Sequence, residues 1–369
     1  MKALVLGKGK SGTSAAALLK AQGYEVDFAD GYSCVVVSPG VPAKSELQLG
    51  CEELKRRGWK LLAVTGSKGK SSVVKLVADA LGGIPCGNYG RPVTDLIGET
   101  PGWAVVEVSS FQLETTTLAP DTFVAAAILN LQEDHLDRHG SLEVYHGLKR
   151  KLLTMAKSGF CEGGEVSSAQ LWKGSYFDNE VLAGNAAAAV ALMRLAGLGD
   201  AQIAAAFAAF KPLPHRMNLV AVRSGVRYID DSKATSLAAL EAGVKMSWPG
   251  PSGLRKLVAK FGFPWRRRVL LIAGGLPKGD DPKTALATLT ERVKKVYLIG
   301  QSAEAFFAAW NGAVDCEICG TMERAMEAAR REAEKGETVL LSPGTASFDQ
   351  FQSYGERGDV FARLVKKEG

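Results

Sequence analysis

The sequence predicts a multidomain α/β protein built from parallel sheets, and three observations predict it. Apolar runs of four to seven residues alternate with helix-compatible stretches along the whole chain. The 41 glycines suit tight strand-to-helix turns. At 369 residues the chain is long enough for two or three domains, and a hydrophobic fraction of 46% is ample for their cores.

The first element is a strand at Ala3 to Leu6, followed by the glycine-rich turn GKGKSG and a helix through Leu19. A second strand, Glu25 to Phe28, ends before Asp30. That order is Rossmann-like: a glycine turn at a helix N-terminus, then an acid after the second strand. A helix is expected over Cys51 to Arg57.

The second region opens with the apolar run Leu61 to Val64, which leads into TGSKGKSS at 65–72 and a helix over Val73 to Leu81. This strand, loop and helix read as a P-loop for a nucleoside triphosphate. Gly66, Ser67, Lys68 and Gly69 let backbone N–H groups close round phosphate oxygens, Lys70 supplies charge, and Ser71 or Ser72 can reach magnesium. Val64 stands where the usual pattern begins with glycine, so only its second half is met, and a plain Gly-Lys turn is the alternative. Further strands are expected at Ala104 to Val108 and Val124 to Asn130. Asp200 is expected to cap a helix over Ala201 to Phe210.

The third region begins near His215, with strands at Val226 to Ile229, Val269 to Ala273, Val296 to Ile299 and Val339 to Leu341. Polar clusters sit where these strands end. Glu107 closes one run, EDHLDRH at 133–139 follows another, and Asp230-Asp231-Ser232-Lys233 follows a third. Carboxylates and an imidazole beside a phosphate loop are what a magnesium–nucleotide site requires. Taken singly, Glu107 is also a strand-end surface acid and His135 a capping or core histidine.

Charge and cysteine usage narrow the classes further. Of 45 basic residues against 39 acidic, six lie between Ser247 and Arg268, a window with no acid, and outside it the signs balance. A nucleic-acid surface is therefore not expected. The window reads as a basic amphipathic helix, either packed on its own domain or facing an anionic partner. Six cysteines, two of them as Cys316-Glu-Ile-Cys319, read as reduced structural thiols. The longest uncharged alanine-rich stretch, Val181 to Met193, is 13 residues, too short to cross a bilayer, so a soluble, cytoplasmic protein is expected.

Together these segments resemble the Mur ligase family. The matching pieces run in order: SPGVP at 38–42, VTGSKGKSS at 64–72, GN at 87–88, EVSSFQLE at 107–114 and LNLQEDHLDRH at 129–139. YHGLK at 145–149, PHR at 214–216, DDSKAT at 230–235, GGLPKGDD at 274–281 and SPGTASFDQF at 342–351 follow. SSFQLE and SPGTASFDQF are similar to the glutamate-adding branch. The resemblance implies three domains: a shortened Rossmann-like domain at 1–58 for the UDP substrate, a central P-loop domain at 59–213, and a Rossmann-like C-terminal domain at 214–369 for glutamate. It implies ATP-dependent addition of D-glutamate to UDP-N-acetylmuramoyl-L-alanine through an acyl phosphate.

Carried over by position, the resemblance places Gly66 to Ser72, Asn185, Arg216 and Asp231 at ATP. Two magnesium ions would be held by Ser71, Glu107, His135 and Lys149, the last as a carbamate; unmodified, Lys149 is a helix-face cation. Lys70, His135, Lys149 and Lys233 would be catalytic. Lys10, Ser11, Asp30, Gly31, Gly40, Asn88, Gln112 and His135 would meet the UDP substrate. Lys233, Thr235, Lys278, Ser347 and Phe348 would meet glutamate. A monomer is expected. The chain departs from the family by a short first domain, a trimmed stretch between Lys151 and Asn185, Gly184 before that asparagine, and Ser236 where asparagine is common. The rival readings are another Mur-type or folylpolyglutamate-type ligase, and a non-catalytic nucleotide or UDP-sugar sensor.

Overall fold

A computed structural model describes residues 2–29, 44–161, 166–248 and 267–367. They form two compact units, one of residues 1–178 with 182–210 and the other of 179–181 with 211–369. Among the described residues no helix is long and apolar enough to cross a membrane.

In the first unit, β1 (Lys2–Leu6) and β2 (Glu25–Ala29) pair in parallel around α1 (Lys10–Ala21). The turn before α1 needs its glycines. Gly7 has φ +91, and a side chain on Gly12 would meet the Gly7 carbonyl. Next, α2 (Glu46–Arg56) starts at Ser45, whose hydroxyl accepts from the Gln48 amide, and it buries Leu47, Cys51 and Leu54 as one stripe.

The main sheet follows: β3 (Lys60–Thr65), α3 (Lys70–Leu81), β4 (Ile84–Gly87), β5 (Trp103–Glu107), α4 (Ser110–Thr115), β6 (Phe123–Ile128), two short helices α5 (Leu136–His139) and α6 (Leu142–Lys151), and β7 (Ala156–Cys161). Helices α7 (Ala183–Leu195) and α8 (Asp200–Ala209) complete the unit. The five strands are parallel in the order β4-β5-β3-β6-β7. Every residue of β3 after Lys60 is buried, as a central parallel strand covered on both faces demands. Gly82, at φ +57, ends α3 in the left-handed conformation. The cap of α8 falls one residue earlier than expected: Gly199 is the N-cap, its amide bonds the Gln202 side chain, and Asp200 sits in the first turn, where the helix dipole favours an acid.

The second unit contains β8 (Asn218–Arg223), β9 (Val226–Asp230), α9 (Leu237–Ser247), β10 (Val269–Gly274), α10 (Leu286–Arg292), β11 (Val293–Ile299), α11 (Ala303–Trp310), β12 (Asp315–Gly320), α12 (Met322–Glu332), β13 (Thr338–Leu341) and α13 (Tyr354–Lys366). Its sheet runs β12-β11-β10-β13-β9-β8, parallel except for the β8–β9 hairpin. The continuous apolar run of β10 serves two cores. Val269, Leu271 and Ala273 face one, with Trp310 and Leu240, while Leu270 and Ile272 face the other, with Met326 and Phe361.

The same alternation separates the Cys316-Glu-Ile-Cys319 pair. Cys316 packs in the first core and Cys319 in the second, on opposite faces of β12. Both are free thiols, and burial pushes each up to about 11, as inert structural cysteines require. The basic window is described only at its ends, where the Arg268 guanidinium lies 5.0 Å from the Trp248 ring. Residues 249–266 lie outside the described residues.

Candidate active site

In the first unit the carboxyl ends of β3, β5 and β6 lie side by side, so the segments that follow them meet at one sheet edge. This is where an open parallel sheet receives a ligand. The loop after β3 is Gly66 to Gly69. Gly66 has φ +149 and packs so tightly on Leu129 and Asn130 that a side chain would meet both. Gly69 has φ +84, and a side chain there would strike the Asn185 amide. Opening at Lys70 without a side-chain cap, α3 leaves backbone N–H groups of its first turn for an anion.

The segment after β6 holds this loop in shape. The Asn130 side chain pairs with Lys68 in both directions, accepting from its amide at 2.8 Å and donating to its carbonyl at 2.9 Å. The Ser67 hydroxyl donates to the Gln132 carbonyl at 2.9 Å and lies 3.1 Å from the Tyr145 hydroxyl. Neither Asn130 nor Tyr145 stands out in the sequence as a site residue. Asn130 is the polar residue just past a buried strand, which is the signal that could have marked it.

Two lysines share one carbonyl. Lys70 Nζ donates to Gly66 O at 2.9 Å and to Ser67 O at 3.1 Å, and Lys149 Nζ donates to the same Gly66 O at 3.0 Å. Lys149 is 1% exposed, with its ammonium 4.5 Å from the Tyr145 ring centre. Burial, reinforced by the Lys70 charge, pulls its ammonium down to about 7.

Glu107 ends β5 with its carboxylate buried. Oε1 accepts from Asn88 Nδ2 at 2.9 Å, and Oε2 has no hydrogen-bond partner among the described residues. A buried carboxylate oxygen without a donor suits a hard cation, so the residues present fit magnesium. Ser71, in the first turn of α3, supplies a hydroxyl on the same edge. His135 stands apart from a ready-made ligand set. It is half exposed in the left-handed conformation, with its ring 5.0 Å from Phe111 and 6.3 Å from Tyr145. Among the described residues no three His, Cys, Asp or Glu side chains converge as a metal site.

The residues expected at the UDP substrate are less concentrated. Lys10 and Ser11 are exposed at the start of α1, and Asp30, Gly31 and Gly40 lie outside the described residues. Asn88 orients Glu107, and Gln112 closes the capping box of α4 by accepting from the Ser109 amide at 3.0 Å.

In the second unit the ends of β9, β10 and β13 adjoin in the same way. The loop after β13 is tied to the other two: Gly344 N donates to Ala234 O at 2.9 Å, and Leu276 N to Ala346 O at 3.0 Å. These contacts bring the segments carrying Lys233 and Thr235, Lys278, and Ser347 to one edge. Lys233 Nζ lies 3.9 Å from the Tyr354 ring centre, Ser347 is buried, and Phe348 and Lys278 are exposed.

Asp231 is buried, accepting from Ser342 Oγ at 2.9 Å and Met217 N at 3.2 Å. Burial pushes its carboxyl up to about 7 against the pull of those bonds and of Arg216. His215 Nδ1 lies 2.7 Å from Asp230 Oδ2. Sequence reasoning also misses His215 and Arg357, a fully buried arginine bonded to two of the loops. Neither belongs to a periodic pattern that points to a site.

A glycine–lysine loop between a buried parallel strand and a helix, with a buried carboxylate on the neighbouring strand, defines a nucleotide-binding α/β protein of the P-loop class. Residues 91–161 match the Mur ligase middle domain, and residues 215–344 match the Mur ligase glutamate ligase domain. The chain is 33% identical to the UDP-N-acetylmuramoylalanine–D-glutamate ligase of Nitratidesulfovibrio vulgaris (strain DP4), covering 99% of this chain and 96% of that one. It is 34% identical to the same-named protein of Gloeobacter violaceus, covering 90% and 84%. The fold is similar to that of MurF ligase from Thermotoga maritima in complex with ADP, with a TM-score of 0.61 at 18% identity over 100% of this chain and 95% of that one. The chain belongs to the Mur ligase family.

The loop geometry makes two expectations testable. Gly69→Ala places a side chain at φ +84 and displaces Asn185, so it should lower unfolding free energy by about 1–2 kcal/mol or more. Urea denaturation checks this, and an unchanged midpoint contradicts it. The second concerns Lys149, whose folded ammonium is depressed. Its contribution to stability is full above the unfolded lysine value and is lost as pH falls through about 7. In carbon-dioxide-free buffer the wild type should therefore gain stability relative to Lys149→Met between about pH 7 and about pH 10. Parallel stability curves across that window would show an ammonium that is not desolvated.

Proposed function

We propose that the protein is an ATP-dependent ligase that adds D-glutamate to UDP-N-acetylmuramoyl-L-alanine in peptidoglycan precursor synthesis. The observation that carries the reading is near-full-length similarity to ligases of that name in a chain that retains the loop lysine, the buried Glu107 and the buried Lys149. In this reading an oxygen of the alanyl carboxylate bonds to the γ-phosphorus of ATP as the bond to ADP breaks. The neutral amine of glutamate then adds to the acyl carbon and gives up one proton, and inorganic phosphate leaves, carrying that proton, with the carbonyl restored. A carboxylate is a poor electrophile, and the acyl phosphate makes it a reactive one.

The chain's own groups supply electrostatics and position. The first-turn amides of α3 and the segment Gly66 to Ser72 would cradle the phosphates, and Lys70 would turn from its loop carbonyls to the charge developing on the transferred group. Ser71, Glu107, His135 and a carbamate on Lys149 would hold two magnesium ions, which when bound offset phosphate charge. A Lys149 amine titrating near 7 is part neutral at physiological pH, the form that reacts with carbon dioxide. Asn185, Arg216 and Asp231 would complete the ATP contacts.

Lys233, Thr235, Lys278, Ser347 and Phe348 would receive glutamate, two ammonium groups and hydroxyls matching its two carboxylates. Lys10, Ser11, Asn88, Gln112 and His135 would meet the UDP substrate with Asp30, Gly31 and Gly40. We assign 1–58 to that substrate, 59–213 to ATP and 214–369 to glutamate, in a cytoplasmic monomer that needs no nucleic acid. The basic window at 247–268 is left to packing or to an anionic partner.

The direct test is phosphate release with UDP-N-acetylmuramoyl-L-alanine and ATP, which should depend on added D-glutamate. Lys70→Ala should lower kcat by about 10²-fold or more while the protein stays folded by circular dichroism. Near-native turnover in that variant would remove Lys70 from the reaction. Lys149→Ala should be inactive and should regain turnover with millimolar short-chain carboxylic acids, which supply the lost oxygen ligands. Full activity without such additives would rule out the carbamate.

A further inference from the structure

We infer that Arg357 is a positioning residue for the amino-acid substrate, fixing the spacing of the loops that carry Lys233 and Thr235 on one side and Ser347 on the other. The inference rests on the reading of those residues as glutamate contacts. Arg357 lies in the first turn of α13, whose start is fixed by Ser353 accepting from the Glu356 amide at 3.1 Å. Its side chain is fully buried.

One planar guanidinium reaches both loops. Nε donates to Ser232 Oγ at 3.0 Å and Nη2 to Ser232 O at 3.0 Å. Nη2 also donates to Thr345 O at 3.1 Å, and Nη1 to Ala346 O at 3.2 Å. Ser232 directly precedes Lys233, and Ala346 directly precedes Ser347, so each anchor is one residue from a proposed substrate contact.

The third loop is tied to the same point. Ala346 O also accepts from Leu276 N, two residues before Lys278. A side chain on Gly275 would come within 3.1 Å of Arg357 Nη1 and 2.3 Å of Ala346 O, so the loop after β10 closes on the guanidinium only as glycine. The Ser232 hydroxyl, while accepting from Arg357, donates to Tyr354 O at 2.8 Å, returning the first loop to the helix that carries the arginine.

The partners show what this charge does. All four bonds go to carbonyls and one hydroxyl, none to a carboxylate, so the group acts as a rigid fork and not as half of an ion pair. Asp349 and Asp230 lie near enough to favour the charge without bonding to it. A lysine would keep the charge, but its single ammonium cannot span Ser232 and Ala346 together.

The test compares steady-state kinetics of the wild type, Arg357→Lys, Ser232→Ala and Lys278→Ala by phosphate release, with ATP and D-glutamate varied separately. Arg357→Lys should raise the glutamate KM by about 10-fold or more with the ATP KM within about 3-fold, because it misplaces one pocket and spares the phosphate loop. Ser232→Ala should move the glutamate KM the same way by a smaller factor, and it decides alone should Arg357→Lys not fold. A glutamate KM unchanged in both variants, while Lys278→Ala raises it, would make Arg357 a purely structural residue and overturn the inference. Equal rises in both KM values would overturn it too. A wild type without glutamate-dependent phosphate release, or a Lys278→Ala variant with native glutamate KM, would instead remove the substrate reading on which it stands.

Discussion

Parallel strands cannot be joined by tight turns, and that constraint organises both units. Each crossover must leave from one edge of the sheet and re-enter at the other, so the segments leaving β3, β5 and β6 gather along one edge. Those leaving β9, β10 and β13 do the same in the second unit. Because the strand bodies are buried on both faces, their composition is fixed as apolar, and chemistry is confined to the first few residues beyond each strand. Glu107, Asn130 and Gly274 mark that transition within one or two positions of a fully apolar run, and Asp230 does so after Tyr228 and Ile229. Close approach at the same edge explains why Gly69 and Gly275 are glycines: the space a side chain would need is occupied by Asn185 in one case and by Ala346 and Arg357 in the other.

Much of this was legible in the sequence because the same residues that decide the fold decide the edge. The strands at the centres of both sheets are continuous apolar runs, and the loop TGSKGKSS follows one of them. The strands β4, β7, β8 and β12 are not legible in this way. They are the edge strands of their sheets: β4, β7 and β12 are short or carry Pro85, Lys157 or Glu317 where it breaks any run, and β8 leaves Leu219 and Val222 of its apolar run exposed. Site residues were legible where a backbone demand or an ordered motif marked them. They were not where a side chain acts on another segment far along the chain, as Asn130 does on Lys68 and Arg357 on Ser232 and Thr345. Gln112 shows the converse, because its bond to the Ser109 amide is local and the motif order did not reveal it, whereas Asn88 acts across to Glu107 on the neighbouring strand. The first sheet is described only as the β1–β2 pair, and Asp30, Gly31 and Gly40, assigned by resemblance to the uridine end, fall outside the described residues.

Each unit uses a buried cation to hold its edge, and the two cations differ in a way that matters for chemistry. Lys149 fastens the phosphate loop through the Gly66 carbonyl, and Arg357 fastens the second edge through Ser232, Thr345 and Ala346. Burial lowers both groups. Arg357, held at about 10, keeps its charge throughout the physiological range, while Lys149 at about 7 divides its time between ammonium and amine. A permanently charged planar fork whose bonds go to three loop carbonyls and a hydroxyl serves here as scaffold. A lysine poised between forms is available to electrophiles and to metal-directed modification, and the second ammonium on the same carbonyl, Lys70, is what pushes it further toward the amine. Replacing Lys149 with arginine would keep a hydrogen bond to Gly66 but forfeit that chemistry. Lysine in one unit and arginine in the other therefore suit the parts proposed for the two edges. In the proposed reaction the first edge would change its charge state, and the second would hold its three loops still.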